Sequence, residues 1–271
     1  MDQSTKAEVQ RLRNASLEEI NEEIGKLSPA TGDASLLALL ENPQLQPAHL
    51  RLLLERREVS ATLLERIAAR KEWSRDADIR RGLVAHPQTP PWLALKLARE
   101  LEIADLLTIS FRPSVRAEVR RFADELLLAH LPQLTLGQKL SLARKGPGRI
   151  AAELLVGNDA RVAHAALGNP YLTEAQLLRA LADEKLRGGA IGAIASHAKW
   201  SAIPTVRSAL VRHHNATLHQ IAPLLARLSQ IELDRLSRSP EVCANLRDAI
   251  REEAAARSKK QSHLDTPEAH T

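Results

Sequence analysis

Cysteine is almost missing from this chain: Cys243 is the only one in 271 residues. An internal disulfide is therefore impossible, and so is a zinc or iron–sulfur centre built on several thiolates. Aromatic side chains are nearly as scarce. Trp73, Trp92, Trp200, Tyr171, Phe111 and Phe122 are the whole set, 2% of the sequence. A core with so few rings must be filled by Leu, Ala, Val and Ile, the chemistry of packed helices. No apolar run approaches the ~18 residues of a membrane span. The start, Met1-Asp2-Gln3-Ser4-Thr5-Lys6, lacks the basic segment and apolar run of a secretory signal. A cytoplasmic protein without membrane association is the expectation. Enzyme signatures are missing as well: there is no G-x-S-x-G, no Walker phosphate loop and no Gly-rich strand–turn–helix. Gly146-Pro147-Gly148 reads as a turn. The ten histidines include no H-x-x-x-H pair. His213-His214 are adjacent and point about 100° apart on a helix, a poor geometry for sharing a metal ion. No catalytic residue, metal or cofactor is expected.

The chain is otherwise ordinary, with 44% hydrophobic and 26% charged residues, enough apolar material for a folded core. Its net charge of +5 is local. Residues 111–150 carry Arg112, Arg116, Arg120, Arg121, Lys139, Arg144, Lys145 and Arg149 against Glu118, Asp124 and Glu125, which accounts for the whole surplus. A local surplus marks either a solvated helix face or a surface for an anionic partner.

Sliding the sequence along itself exposes a repeat at an offset of 127. Residues 36–125 align without a gap on 163–252, with 25 identities in 90 positions, against about 6 or 7 expected from the skewed composition. The matches include Asn42-Pro43 with Asn169-Pro170, Trp73-Ser74 with Trp200-Ser201, Arg80 with Arg207, His86 with His213, Pro113 with Pro240 and Arg120 with Arg247. Within each copy a shorter period of 44 separates Asn42 from His86 and Asn169 from His213.

Local signals agree on helix. Val115, Val119, Phe122 and Leu126 fall on one helical face. Capping boxes recur at Ser16/Glu19, Thr135/Gln138, Thr173/Gln176, Thr217/Gln220 and Ser229/Glu232; in each, a hydroxyl answers an orphan N–H and the later side chain reaches back. Prolines 43, 87, 113, 170 and 240 separate apolar runs, and Pro204 follows a cap expected at Ser201. No alternating polar–apolar run suggests a strand. The pattern predicts an all-α fold, an α-solenoid of short antiparallel helix pairs. Its parts are a helical cap over 1–33, a first repeat block over 34–125, bridging helical repeats over 126–162, and a second block with its cap over 163–257. The tail 258–271 has one large apolar residue, Leu264, and is expected to be disordered.

The short helices, the Asn-Pro turns and the run Asp159-Ala-Arg-Val-Ala-His-Ala-Ala-Leu-Gly-Asn-Pro170 resemble bacterial HEAT-like repeats and leucine-rich-repeat-variant proteins over roughly residues 34–252. The resemblance implies a binding scaffold. Some leucine-rich-repeat-variant proteins carry an N-terminal cysteine cluster for an iron–sulfur centre, and this chain has no such cysteines.

Residues kept in both copies read as architecture: Asn42, Pro43, Trp73, Arg80, Arg120, Asn169, Pro170, Trp200, Arg207 and Arg247. Asp105 and Glu232, each 15 residues before Arg120 and Arg247, are expected to bridge to them. Cys243 reads as a small buried hydrophobe. The arginines without a counterpart are better candidates for function. Arg116 stands opposite Cys243 and Arg121 opposite Asp248; with Arg112, Lys139, Arg144, Lys145 and Arg149 they form the candidate interaction surface. Trp92, opposite His219, is either core filling or a surface anchor. Two functions follow: a protein or peptide scaffold using the solenoid surface, or nucleic-acid binding through the basic 111–150 region. For the second, helical-repeat DNA glycosylases offer an analogy, and the scarcity of aromatics argues against base stacking.

Overall fold

Short Leu- and Ala-rich segments, many of them opened by a side-chain cap, become helices in the computed structural model. The structure describes residues 3–26, 33–157 and 159–264. Among them are 19 α-helices, two 3-10 turns and no strand. The chain divides into two compact units, Met1–His130 and Leu131–Thr271. The division falls inside the segment 126–162 that was expected to bridge the blocks.

The first unit contains α1 (Gln3–Arg13), α2 (Leu17–Lys26), α3 (Asp33–Leu40), α4 (Pro47–Leu54), α5 (Ala61–Ala69), α6 (Lys71–Ser74), α7 (Ala77–Ala85), α8 (Pro91–Ala98), α9 (Ile103–Phe111) and α10 (Ala117–His130). In it α1 packs on α3 and α3 on α5, while α2 packs on α4, α4 on α7 and α7 on α9; α8 and α9 both pack on α10. The second unit opens with a 3-10 turn (Leu131–Gln133). It continues with α11 (Leu136–Lys145), α12 (Gly148–Val156), α13 (Ala160–Leu167), α14 (Glu174–Leu181), α15 (Gly188–Ser196), a 3-10 turn (Trp200–Ala202), α16 (Pro204–Arg212), α17 (Leu218–Leu225), α18 (Gln230–Ser237) and α19 (Ala244–Leu264). There α11, α13, α15, α17 and α19 form one row of successive neighbours, and α12, α14, α16 and α18 form a second.

The helix starts keep the register of the sequence repeat. Helices α3, α4, α5, α7, α8, α9 and α10 begin at 33, 47, 61, 77, 91, 103 and 117; α13 to α19 begin at 160, 174, 188, 204, 218, 230 and 244, each 127 later. All five capping boxes form. Pro204 occupies the first position of α16, but the residue before it is Ile203; Ser201 instead lies buried in the 3-10 turn, where its hydroxyl accepts a bond from Arg227 Nη1 at 2.7 Å.

No glycine among the described residues adopts a positive φ, so these helices do not end in the left-handed turn that usually satisfies the last carbonyls. Side chains from about one helix pair downstream take over. Leu40 O accepts from Arg70 Nη1 at 2.7 Å, 30 residues on. Its counterpart Leu167 O accepts from Trp200 Nε1 at 2.9 Å, 33 residues on. Arg257 caps Leu225 O and Leu228 O, 32 and 29 residues earlier.

Four expectations need correction. Helix α19 continues through Leu264, past Ser258, where a disordered tail was expected to begin. Arg257 anchors it to α17 and pairs with Glu253 at 2.8 Å, and Lys259, Lys260, Gln261 and Leu264 beyond it favour helix; residues 265–271 lie outside the described residues. The predicted stripe holds at Val115 and Val119, both buried, but beyond them the buried positions on α10 are Ala123 and Leu127 in place of Phe122 and Leu126. Phe122 is half-buried with the Arg99 guanidinium 5.7 Å from its ring centroid. Cys243 is exposed in the turn before α19. Asp105 and Glu232 do not bridge to Arg120 and Arg247: Asp105 binds Arg81 at 2.7 Å and Glu232 binds Arg207 at 3.1 Å.

A candidate binding groove in the first unit

Repeated residues turn out to hold the framework. Asn42 Nδ2 donates to Leu12 O and Ala15 O, both at 2.9 Å, and its Oδ1 accepts from Gln44 N–H at 2.8 Å. Asn169 makes the same three bonds to Ala143 O, Gly146 O and Tyr171 N–H, at 2.8, 3.0 and 2.7 Å. His86 and His213 do this work at the other turns. Nδ1 accepts from the Gln88 or Asn215 N–H at 3.1 Å, and Nε2 faces Arg56 O at 2.7 Å or Asp183 O at 3.5 Å. An amide N–H only donates and a carbonyl only accepts, so each ring is the neutral Nε2–H tautomer. Burial pushes both imidazoles below their ordinary value of 6.5, although their carbonyl partners pull upward. His86 has no free nitrogen for proton transfer.

Trp73 and Trp200 are both buried, beneath the cations Arg70 (4.3 Å to the centroid) and Lys199 (4.0 Å). Arg80 pairs with Glu100 at 3.1 Å and Arg207 with Glu232. The partners differ because position 100 of the first copy corresponds to Arg227 in the second. Arg247 Nε donates to Val242 O at 3.1 Å, and Arg120 is half-buried.

Of the candidate interaction residues, the first unit holds Arg112, Arg116, Arg121 and Trp92, and the second holds Lys139, Arg144, Lys145 and Arg149. Trp92 is 59% exposed on α8, so it does not fill the core. Arg121, Arg144, Lys145 and Arg149 are exposed. Lys139 lines a separate cleft with Glu153 and Asp159; the Asp159 carboxyl is held at about 2 by hydrogen bonds from the Arg161 side chain and backbone. Arg112 reaches a groove of about 390 Å3, and Arg116 borders it, donating from Nε to Pro87 O at 3.0 Å.

That groove lies along α4 and α7 and under the turns that follow α7 and α9. Its polar wall is Arg51, Arg57, Arg81, Arg112, Glu55 and Asp78, and His86 and Gly82 line it too. A charged seam crosses three helices. Arg51 on α4 binds Asp76 at 2.9 Å and Asp78 at 3.1 Å; Arg81 on α7 binds Asp78 at 2.6 Å and Asp105 of α9 at 2.7 Å. Asp76 also caps α7 by accepting the Asp78 and Ile79 N–H groups. Burial pushes its carboxyl up, but the Ile79 N–H and Arg51 outweigh that and bring it below the ordinary value. The Asp105 hydrogen bond raises Arg81 further. Among the described residues, Arg57 and Arg112 have no ion-pair partner and no side-chain hydrogen bond, and both are exposed.

Sequence reasoning singled out Arg112 and Arg116 here but missed Arg51, Arg57 and Arg81. The signal was present. At the aligned positions the second copy has Leu178, Glu184, Ser208 and Ser239 in place of Arg51, Arg57, Arg81 and Arg112, so every arginine lining the groove belongs to one copy only. Comparison with protein-family models, with curated proteins and with solved structures gave no match.

Proposed function

We propose that the chain is a non-enzymatic, cytoplasmic binding scaffold of HEAT-like helix pairs, made of two copies of one helical unit. In this reading each unit is a short α-solenoid, and the first has been specialised to hold a protein or peptide partner. The two-row helix packing and the shared register of helix starts support the repeat architecture. The observation that carries the function is the difference between copies. Asn42 and Asn169, His86 and His213, and Trp73 and Trp200 are kept, and they serve the fold. The groove arginines are kept in one copy alone, so the fold does not require them, and two of them have no ion-pair partner among the described residues.

A photo-cross-linking residue at Ser114, in the groove, and at Glu241, its aligned position in the second copy, tests this in native extract. Discrete protein adducts from position 114 and none from 241 are expected. No adducts at either position, or equal adducts from both, would overturn the assignment. Nucleic-acid binding is the second reading, carried by the basic 111–150 stretch. It ranks lower because the one basic residue of that stretch that lines the groove, Arg112, shares it with Glu55 and Asp78. A mobility shift at about 50 mM salt, where counterion release favours phosphate contacts most, decides it.

A further inference from the structure

We infer that the groove in the first unit takes an acidic peptide segment, whose separate carboxylates are bound by Arg57 and Arg112. The inference rests on the scaffold reading and assigns the chemistry of its partner. The wall has two kinds of charge. In the seam, Asp76, Arg51, Asp78, Arg81 and Asp105 answer one another across α4, α7 and α9. Those arginines are already paired with carboxylates of the protein itself. Arg57, at the exit of α4, and Arg112, in the turn after α9, are left over. A guanidinium offers a planar pair of N–H donors that matches a carboxylate, so it selects that group more strongly than a point charge does. Arg116 adds charge at the border, held in place by the Pro87 carbonyl.

The same wall discriminates among anions. Glu55 and Asp78 also face the groove, and a continuous polyphosphate would have to run past both. An acidic peptide can place its carboxylates on Arg57 and Arg112 and a neutral residue beside Glu55. No Trp, Tyr or Phe lines the groove, and its one ring, the His86 imidazole, is buried and tied into its own turn, which leaves no open stacking platform of the kind single-stranded nucleic acid uses. The second copy cannot bind the same segment: at the position of Arg57 it carries Glu184, preceded by Asp183.

The test is fluorescence anisotropy on the full chain with three labelled peptides of about twelve residues at roughly 50 mM salt, where the Debye length still lets the groove charges act. One peptide is rich in Glu and Asp, one in Ser and Gln, one in Lys. Single-stranded oligonucleotide serves as a fourth probe. The acidic peptide alone is expected to bind. The double variant Arg57→Gln with Arg112→Gln should weaken it about tenfold or more, the loss of at least one charge-assisted pair. The charge-matched pair Arg144→Gln with Lys145→Gln in the second unit should leave it unchanged. Thermal melts of all variants should coincide, since these side chains are exposed. Equal weakening by both variant pairs, or tighter binding of the oligonucleotide, would overturn the inference. Groove-dependent binding of the neutral or basic peptide would overturn the acidic partner and keep the scaffold. Binding of no probe would count against both.

Discussion

At Asn42, Asn169, His86 and His213 a single side chain satisfies its own turn and the end of an earlier helix. The two residue types are interchangeable here because both present an acceptor toward the N–H two residues on and a donor toward a carbonyl. Removing the side chain strands buried polar groups, and Asn169→Ala should cost about 2–4 kcal/mol in urea unfolding, near the sum of two orphaned carbonyls and one N–H. His86→Asn should cost less than His86→Ala. The histidines also set a pH dependence. Their folded pKa values lie below the ordinary 6.5, so the unfolded chain binds protons first as pH falls. Stability is therefore fully present above about 6.5 and declines below it, toward the folded values. The double variant His86→Asn with His213→Asn should flatten that decline in a pH series of thermal melts; an unchanged slope would show that other groups cause it. The repeated asparagines and histidines were legible in the sequence, as matched pairs beside prolines. The partners of the repeated arginines were not. Arg207 binds Glu232 while Arg80 binds Glu100: the position aligned with Glu100 is Arg227, which cannot pair with Arg207, and the carboxylate comes from another helix.

Helices of eight to ten residues are too short to stand alone, and here many are held at one end or both by side-chain bonds. Capping boxes close the N-termini of α2, α11, α14, α17 and α18, and side chains from about 30 residues downstream close the C-termini of α3, α13 and α17. The first device is local and was read directly from Ser/Thr-x-x-Glu/Gln. The second spans about 30 residues and depends on which faces meet, so no local pattern announces it. Cys243 was misread for the same reason: its Val242 neighbour is buried, while the cysteine itself, outside any helix, points to solvent. Close helix approach also constrains glycine. A Cβ at Gly148, the first residue of α12, would lie 2.1 Å from Tyr171 O and 2.4 Å from Gln176 Oε1, whereas one at Gly189 in α15 would meet nothing within 4 Å. Gly148→Ala should destabilise the second unit by about 2 kcal/mol or more, because a backbone carbonyl has to move. Gly189→Ala should stabilise by roughly 0.5 kcal/mol through helix propensity alone. Paired melting curves check both signs.

For the molecule as a whole, the sequence match at offset 127 separates residues found at both aligned positions from residues found at one. The all-helical character and the 127-residue register were available from the sequence, since helix boundaries follow caps and prolines. The groove was only half legible. Arg112 and Arg116 stood out within a basic stretch, but Arg51, Arg57 and Arg81 lie scattered among ordinary helix residues and gain meaning only when α4, α7 and α9 bring them onto one wall. Amide hydrogen exchange with and without the acidic peptide tests the central claim most directly, because the aligned copy serves as an internal control. Slowed exchange is expected over residues 51–57, 86–88 and 112–116, with no change at 178–184, 213–215 and 239–243. Equal protection in both copies, or protection confined to the second, would contradict the account.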